Sequence, residues 1–205
     1  MLVLGLTGGM AAGKSTASDL FQRAGVPVFD ADACVKALQR PHGRAIAALA
    51  QAFPDIVHDG VLHRGKLREL VARDENVLPV LEGIMHPLVR QERQTFLHIC
   101  RQQNVRFCVL DIPLLWETGA DKECDLVVLV HAPLSVRLAR IRKRSREGGR
   151  MSEAEARLLI ARQMSDHERK KRADIVLQTG LSRGHLARQI HALIHRLETG
   201  ELSSM

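Results

Sequence analysis

The amino-acid sequence predicts an α/β fold, a parallel sheet of about five strands with helices packed on both faces. Three observations predict it. Short apolar runs alternate with stretches of helical periodicity, and the runs are continuously apolar, as strands buried on both sides are. The carboxyl ends of four runs carry Gly8-Gly9, Asp30, Asp111 and His131, which gathers polar chemistry at the sheet edge where such folds bind ligands. Finally, 205 residues with 45% hydrophobic and 26% charged side chains bury enough surface to fold without a disulfide or a metal.

Leu2-Val3-Leu4-Gly5-Leu6 is the first strand, ending in glycines. Residues 14–24 follow as a helix, with Ala17, Leu20 and Phe21 at helical spacing and Gly25 as the stop. Val26-Pro27-Val28-Phe29 is a second strand ending at Asp30, and Phe107-Cys108-Val109-Leu110 a third ending at Asp111. Leu126 to Val130 and Ile175-Val176-Leu177 complete the sheet. Residues 1–59, 104–133 and 173–205 are expected to form this core. About seventy residues lie between the second and third strands, more than one crossover helix needs. Leu67, Leu70, Val71, Leu78, Leu81, Ile84, Leu88 and Val89 keep helical spacing there, so residues 60–103 are expected to be a helical insertion that holds a second substrate. Residues 134–172 are expected to form an arm. Arg137, Arg140, Arg142, Lys143, Arg144, Arg146 and Arg150 cluster around Gly148-Gly149, and Ser152-Glu153-Ala154-Glu155 opens the next helix as a capping box.

A net charge of +7 points to an anionic partner: nucleic acid, an acidic membrane or a phosphorylated small molecule. Aromatics make up 3% and tyrosine is absent, which argues against nucleic acid held by base stacking. Cys34, Cys100, Cys108 and Cys124 form no C-x-x-C pair, so a zinc site has no support and a reducing compartment is expected. No stretch approaches ~18 apolar residues, and the apolar start lacks the basic flank of a signal peptide. A cytoplasmic protein with no membrane partner is expected, and nothing in the sequence indicates an oligomeric state.

Gly8-Gly9-Met10-Ala11-Ala12-Gly13-Lys14-Ser15, followed by Thr16, fits G-x-x-x-x-G-K-[ST] between a strand and a helix, the context that identifies a P-loop. Residues 9–16 are therefore candidates to bind ATP. Backbone N–H groups would cradle its phosphates, Lys14 would reach the β- and γ-phosphates, and the Ser15 hydroxyl would join Mg²⁺. The two asparagines, Asn76 and Asn104, lack the N-K-x-D context of guanine recognition, which argues against a GTPase switch. Asp30-Ala31-Asp32 follows the second strand, where strand alternation would turn both carboxylates to the phosphate edge. One of them could accept a proton from an acceptor hydroxyl, whereas Asp30 could equally cap the next helix. A small-molecule kinase of the nucleoside monophosphate or shikimate type, or a non-catalytic P-loop module, shares these features.

Gly5-Leu6-Thr7-Gly8-Gly9 through Lys14-Ser15-Thr16, Asp30-Ala31-Asp32, His86-Pro87, Asp111-Ile112-Pro113-Leu114-Leu115-Trp116-Glu117, Arg140 with Arg144, Gln163, Arg169 and Ala173-Asp174 together resemble the dephospho-CoA kinase family over essentially the whole chain. The resemblance implies transfer of the ATP γ-phosphoryl group to the ribose 3′-hydroxyl of dephospho-CoA, the last step of coenzyme A synthesis. It implies a P-loop core, a helical acceptor domain and a helical lid. By position, Asp32 would activate the hydroxyl, Lys14 and Arg140 would hold the transferring group, and Arg144 would bind ATP. Thr7, Asp32, Arg64, His86, Pro113, Leu114 and Leu115 would contact the acceptor. Two positions depart from the family pattern. Met10-Ala11-Ala12 stands where Ile-Gly-Ser is common, so a left-handed Ala11 would cost about 1 kcal/mol. Gln178-Thr179-Gly180 replaces Asn-x-Gly near the expected adenine site.

Overall fold

The computed structural model describes residues 1–147 and 151–201. Gly148, Gly149 and Arg150 of the expected arm lie outside the described residues. The chain forms two compact units, one of Met1–Val28 with Asn104–Met205 and one of Phe29–Gln103.

The larger unit is built on the sheet. Its strands are β1 (Leu2–Gly8), β5 (Phe107–Asp111), β6 (Leu126–His131) and β7 (Ile175–Gln178), and β2 (Val28–Asp30) completes the order β2-β5-β1-β6-β7. β1 runs parallel to β5, with Leu2 opposite Phe107 and Leu6 opposite Asp111. It also runs parallel to β6, with Leu4 opposite Leu126 and Gly8 opposite Val130. β1 is central because it is apolar on both faces: Val3, Leu4 and Leu6 are all buried. Helix α1 (Lys14–Arg23) inserts Ala17 and Phe21 into the core below it. Helices α6 (Leu134–Arg146), α7 (Glu153–Arg162) and α8 (Asp166–Arg172) follow β6, and α7 opens with the expected capping box between Ser152 and Glu155. Helix α9 (Arg183–Thr199) closes the core with Leu186, Ile190, Leu193 and Leu197. That i, i+4, i+7, i+11 pattern was the signal that could have announced a terminal helix.

The second unit holds α2 (Ala31–Leu38), α3 (Ile46–Ala52), a short hairpin of β3 (Val57–His58) and β4 (Val61–Leu62), α4 (Arg64–Arg73) and the long α5 (Val77–Gln102). Leu38, Ile46, Leu49, Ile56, Leu62, Leu67 and Met85 form one core. Because α2 and α3 contribute to that core, the unit begins about thirty residues before the insertion expected from helical periodicity alone. No helix among the described residues is long and apolar enough to cross a membrane.

Candidate active site

The turn from β1 into α1 is the P-loop. Gly13 is left-handed at φ 103° and serves as the N-cap of α1, which has no side-chain cap and no acidic residue in its first turn. The opening N–H groups of the helix are thus left for an anion, with the positive end of the helix dipole behind them. Ala11 sits at φ 57°, so the left-handed residue the loop requires here is an alanine. Its strain is offset locally. Arg140 Nη1 donates to the carbonyls of Ala11 at 3.1 Å and Ala12 at 2.9 Å. Met10 and Ala11 also pack on Leu138, Ile141 and Ala156 of α6 and α7.

Lys14 does not hang free in the loop. Its Nζ donates to Asp111 at the end of β5, and the Asp111 side chain is only 3% exposed. The carboxylate that ends a strand opposite the P-loop lysine is therefore part of the site, although sequence reasoning gave it no role. The signal was present in its position at a strand end. Ser15 and Thr16 lie in the first turn of α1, with Ser15 exposed and Thr16 partly so. Their hydroxyls and the Asp111 carboxylate are hard oxygen donors of the kind that suit Mg²⁺ beside substrate phosphates.

Arg140 reaches the loop from α6. Besides the loop carbonyls, its Nη2 donates to the Thr179 carbonyl at 2.5 Å. Burial, with Arg144 contributing second, draws its guanidinium below the ordinary arginine value. Arg144 itself is exposed. Thr179, from the Gln178-Thr179-Gly180 segment, is buried and bonds the Ala12 carbonyl through its hydroxyl while its N–H donates to His131 at 2.8 Å. This segment braces the loop, and no residue pattern within the P-loop itself announced it.

Thr7 is buried at the end of β1 and donates through its hydroxyl to the Pro113 carbonyl at 3.0 Å. That bond fixes the turn after β5. Leu114 in this turn is exposed, whereas Leu115 is fully buried and anchors the turn from beneath.

In the second unit, Asp30 is the N-cap of α2 and accepts from the Ala33 N–H at 2.9 Å. Strand alternation between Asp30 and Asp32 therefore does not apply: the strand ends at Asp30, and Asp32 is already in the first turn of α2, exposed. A carboxylate in the first turn of a helix meets the positive end of the helix dipole. Arg64 is the first residue of α4 and exposed. His86 is exposed within α5, immediately before the internal Pro87. Proline at that point has no N–H to close the helical ladder.

The family model described as dephospho-CoA kinase matches residues 2–184. The chain belongs to the dephospho-CoA kinase family. A dephospho-CoA kinase of Gluconobacter oxydans is 61% identical over 197 residues, covering 96% of this chain and 98% of its own. Another, from Brucella melitensis, is 40% identical over 194 residues, covering 95% and 94%. Among solved structures, TT1252 from Thermus thermophilus superposes with a TM-score of 0.77 at 33% identity, covering 96% of this chain and 97% of its own. The dephospho-CoA kinase from Campylobacter jejuni shares the fold, with a TM-score of 0.73 at 23% identity and coverage of 97% and 98%. In this family member the P-loop, the strand-end Asp111 and the Thr7–Pro113 turn are held by contacts within the larger unit, and Asp32, Arg64 and His86 are carried by the smaller one.

Proposed function

We infer that the chain is an ATP-dependent dephospho-CoA kinase, converting dephospho-CoA to coenzyme A with release of ADP. The observation that carries this reading is the P-loop with an uncapped helix start and a lysine paired to a buried strand-end carboxylate, in a chain of this family. In the proposed mechanism the loop N–H groups and the start of α1 bind the triphosphate. Lys14 leaves Asp111 for the β- and γ-phosphates and stabilises the charge that develops on the transferring group. Residues 9–16 and Arg144 make up the proposed ATP site. Arg140 fixes the Ala11 and Ala12 peptides so that the loop keeps its shape as the phosphoryl group moves.

Ser15 in the first turn of α1 and Asp111 at the end of β5 would hold Mg²⁺. When bound, the ion neutralises phosphate charge and orients the γ-phosphoryl group. Asp32 is the proposed base for the ribose 3′-hydroxyl, and its exposed carboxylate is free of the capping duty that Asp30 performs. Thr7, Pro113 and Leu114, with Leu115 anchoring their turn, and Arg64 and His86 are the proposed acceptor contacts. ATP and dephospho-CoA are the small-molecule partners, and a cytoplasmic enzyme free of membrane and nucleic-acid partners is the setting we propose. A coupled ADP-release assay over a panel of acceptors tests the reading. ADP release that requires dephospho-CoA, and is not supported by nucleoside monophosphates or shikimate, is the expected outcome. ADP release without any acceptor preference refutes it.

A further inference from the structure

Behind the P-loop lies a buried charge cluster that the proposed mechanism does not use. Arg137 of α6 is 2% exposed and Arg169 of α8 is 5% exposed. Both guanidinium groups share one carboxylate. Arg137 Nη1 lies 3.0 and 3.2 Å from the two Asp166 oxygens, and Arg169 Nη1 lies 3.5 Å from one of them. Glu117 adds a second, weaker carboxylate influence on Arg169, and the buried Arg137 Nη2 has no hydrogen-bond partner. Burial is also the main influence holding the Arg169 guanidinium below its ordinary value, against the opposing pull of Asp166.

Packing alone does not explain such a cluster, because well-packed apolar side chains stabilise a core as well or better than buried charges. Its contacts point instead to the loop. Arg137 Nε donates to the Met10 carbonyl at 2.7 Å. The Met10 N–H donates to Gln163 Oε1 at 3.2 Å, and Arg169 Nη2 donates to the same oxygen at 3.2 Å. Both polar groups of Met10 are therefore held by the cluster. A Cβ on Gly9 would stand 2.4 Å from Arg169 Nη1 and 2.8 Å from Arg137 Nη2, so the two guanidinium groups lie directly against the Gly9 backbone.

We propose that Arg137 and Arg169, bridged by Asp166 and joined to the loop through Gln163, are positioning residues that clamp the Gly9–Met10 stretch and so set the affinity for the nucleotide triphosphate. They act through the loop backbone. A loop fixed in its binding geometry has less conformational freedom to lose when ATP arrives. The two guanidinium groups beside the Gly9 backbone also favour an anionic ligand over a neutral one. This inference rests on the P-loop being the ATP site.

The test is steady-state ADP release by the full-length enzyme, with ATP and dephospho-CoA varied separately, together with a thermal melt of each variant. Arg137→Met removes the charge and both sets of donors. It is expected to raise the KM for ATP by roughly tenfold or more, about the value of one or two charge-assisted hydrogen bonds, with the acceptor KM and the kcat at saturating ATP little changed. Arg169→Lys keeps the charge but offers no fork to join Gln163 and Asp166, and a smaller rise confined to the ATP KM is expected. Lys14→Ala is run in parallel. If Lys14→Ala abolishes turnover while both folded arginine variants keep a wild-type ATP KM, the clamp is refuted and the P-loop assignment stands. If turnover survives Lys14→Ala, the P-loop assignment fails and the clamp with it. A loss spread equally over kcat and both KM values reads as general structural damage and also overturns the proposal. If Arg137→Met does not fold, Arg169→Lys decides, since it leaves the buried charge balance unaltered.

Discussion

Replacing Lys14 by alanine is expected to have two separable consequences, because the lysine is paired with Asp111 in the structure and is proposed to turn to the phosphates when ATP binds. Before any nucleotide binds, Nζ is paired with Asp111, at side-chain exposures of 15% and 3%. Removing one member of a buried ion pair costs about 3–5 kcal/mol. Lys14 keeps some contact with solvent, so the lower end applies. At roughly 2–4 °C per kcal/mol for a chain of this size, Lys14→Ala should melt about 6–12 °C below wild type. The double variant Lys14→Ala/Asp111→Asn removes the carboxylate charge as well and should recover part of that loss. Turnover behaves differently. The charge aimed at the transferring phosphoryl group is absent from both variants, so ADP release should fall at least about a hundredfold in each. Thermal unfolding and the coupled ADP assay on the same preparations separate the two effects. A single variant that melts with wild type, or a double variant no more stable than the single, refutes the stabilising role of the pair. Near-wild-type turnover in a folded Lys14→Ala protein would falsify the assignment of the loop.

Asp32→Asn should leave calorimetric binding of ATP and dephospho-CoA intact while phosphoryl transfer falls by roughly a hundred- to ten-thousand-fold, as for loss of a general base; lost binding with unchanged residual chemistry would make Asp32 a binding residue instead. Arg140→Ala should lower turnover and melting temperature together, because the same guanidinium holds the Ala11, Ala12 and Thr179 carbonyls; a drop in turnover with no change in the melt would mean that it meets the phosphates directly. Burial first, then Lys170, holds the His131 imidazole below its usual value, with Asp166 opposing. The fold thus favours the neutral ring, and that stability is present above the ordinary histidine pKa of about 6.5 and is lost as pH falls below it. His131→Gln should flatten that part of the melting temperature against pH, and an unaltered profile rejects the linkage.

The parts of the site legible in the sequence are those written contiguously. Gly8 to Thr16 announce the loop because a strand, a turn of fixed length and a helix must follow one another directly. The strain at Ala11 was readable for the same reason, since the loop's geometry calls for a left-handed residue there, and φ is 57°. Asp30 and Asp32 mark the boundary of that legibility. Strand spacing treats them as equivalent, but the chain turns helical between them, which makes the first a cap and leaves the second exposed. The second unit starts at Phe29, earlier than periodicity indicates, for a related reason. Its early helices, α2 and α3, are short, and two turns of helix give too few apolar positions to fix a period.

What the sequence does not display is the bracing of the loop, and the structure shows why that bracing is needed. A P-loop binds phosphate with backbone N–H groups, so its peptide planes must be held in orientation by something other than the ligand. In this chain the Met10, Ala11 and Ala12 carbonyls are taken by Arg137, by Arg140, and by Arg140 with Thr179 respectively. Those partners come from α6 and from the segment after β7, more than a hundred residues along the chain. The end of β7, immediately before Thr179, is fixed in turn by α9: Gln189 accepts from the Gln178 N–H and donates to its carbonyl, both at 2.9 Å. The departure from the family pattern at Gln178-Thr179-Gly180 and the departure at Met10-Ala11-Ala12 thus meet in one set of hydrogen bonds. An alanine held in a left-handed conformation and a threonine whose hydroxyl secures the next carbonyl are two halves of the same local structure. Changing either alone should disturb the loop more than its own contacts suggest, since residues within one hydrogen-bonded network do not contribute additively.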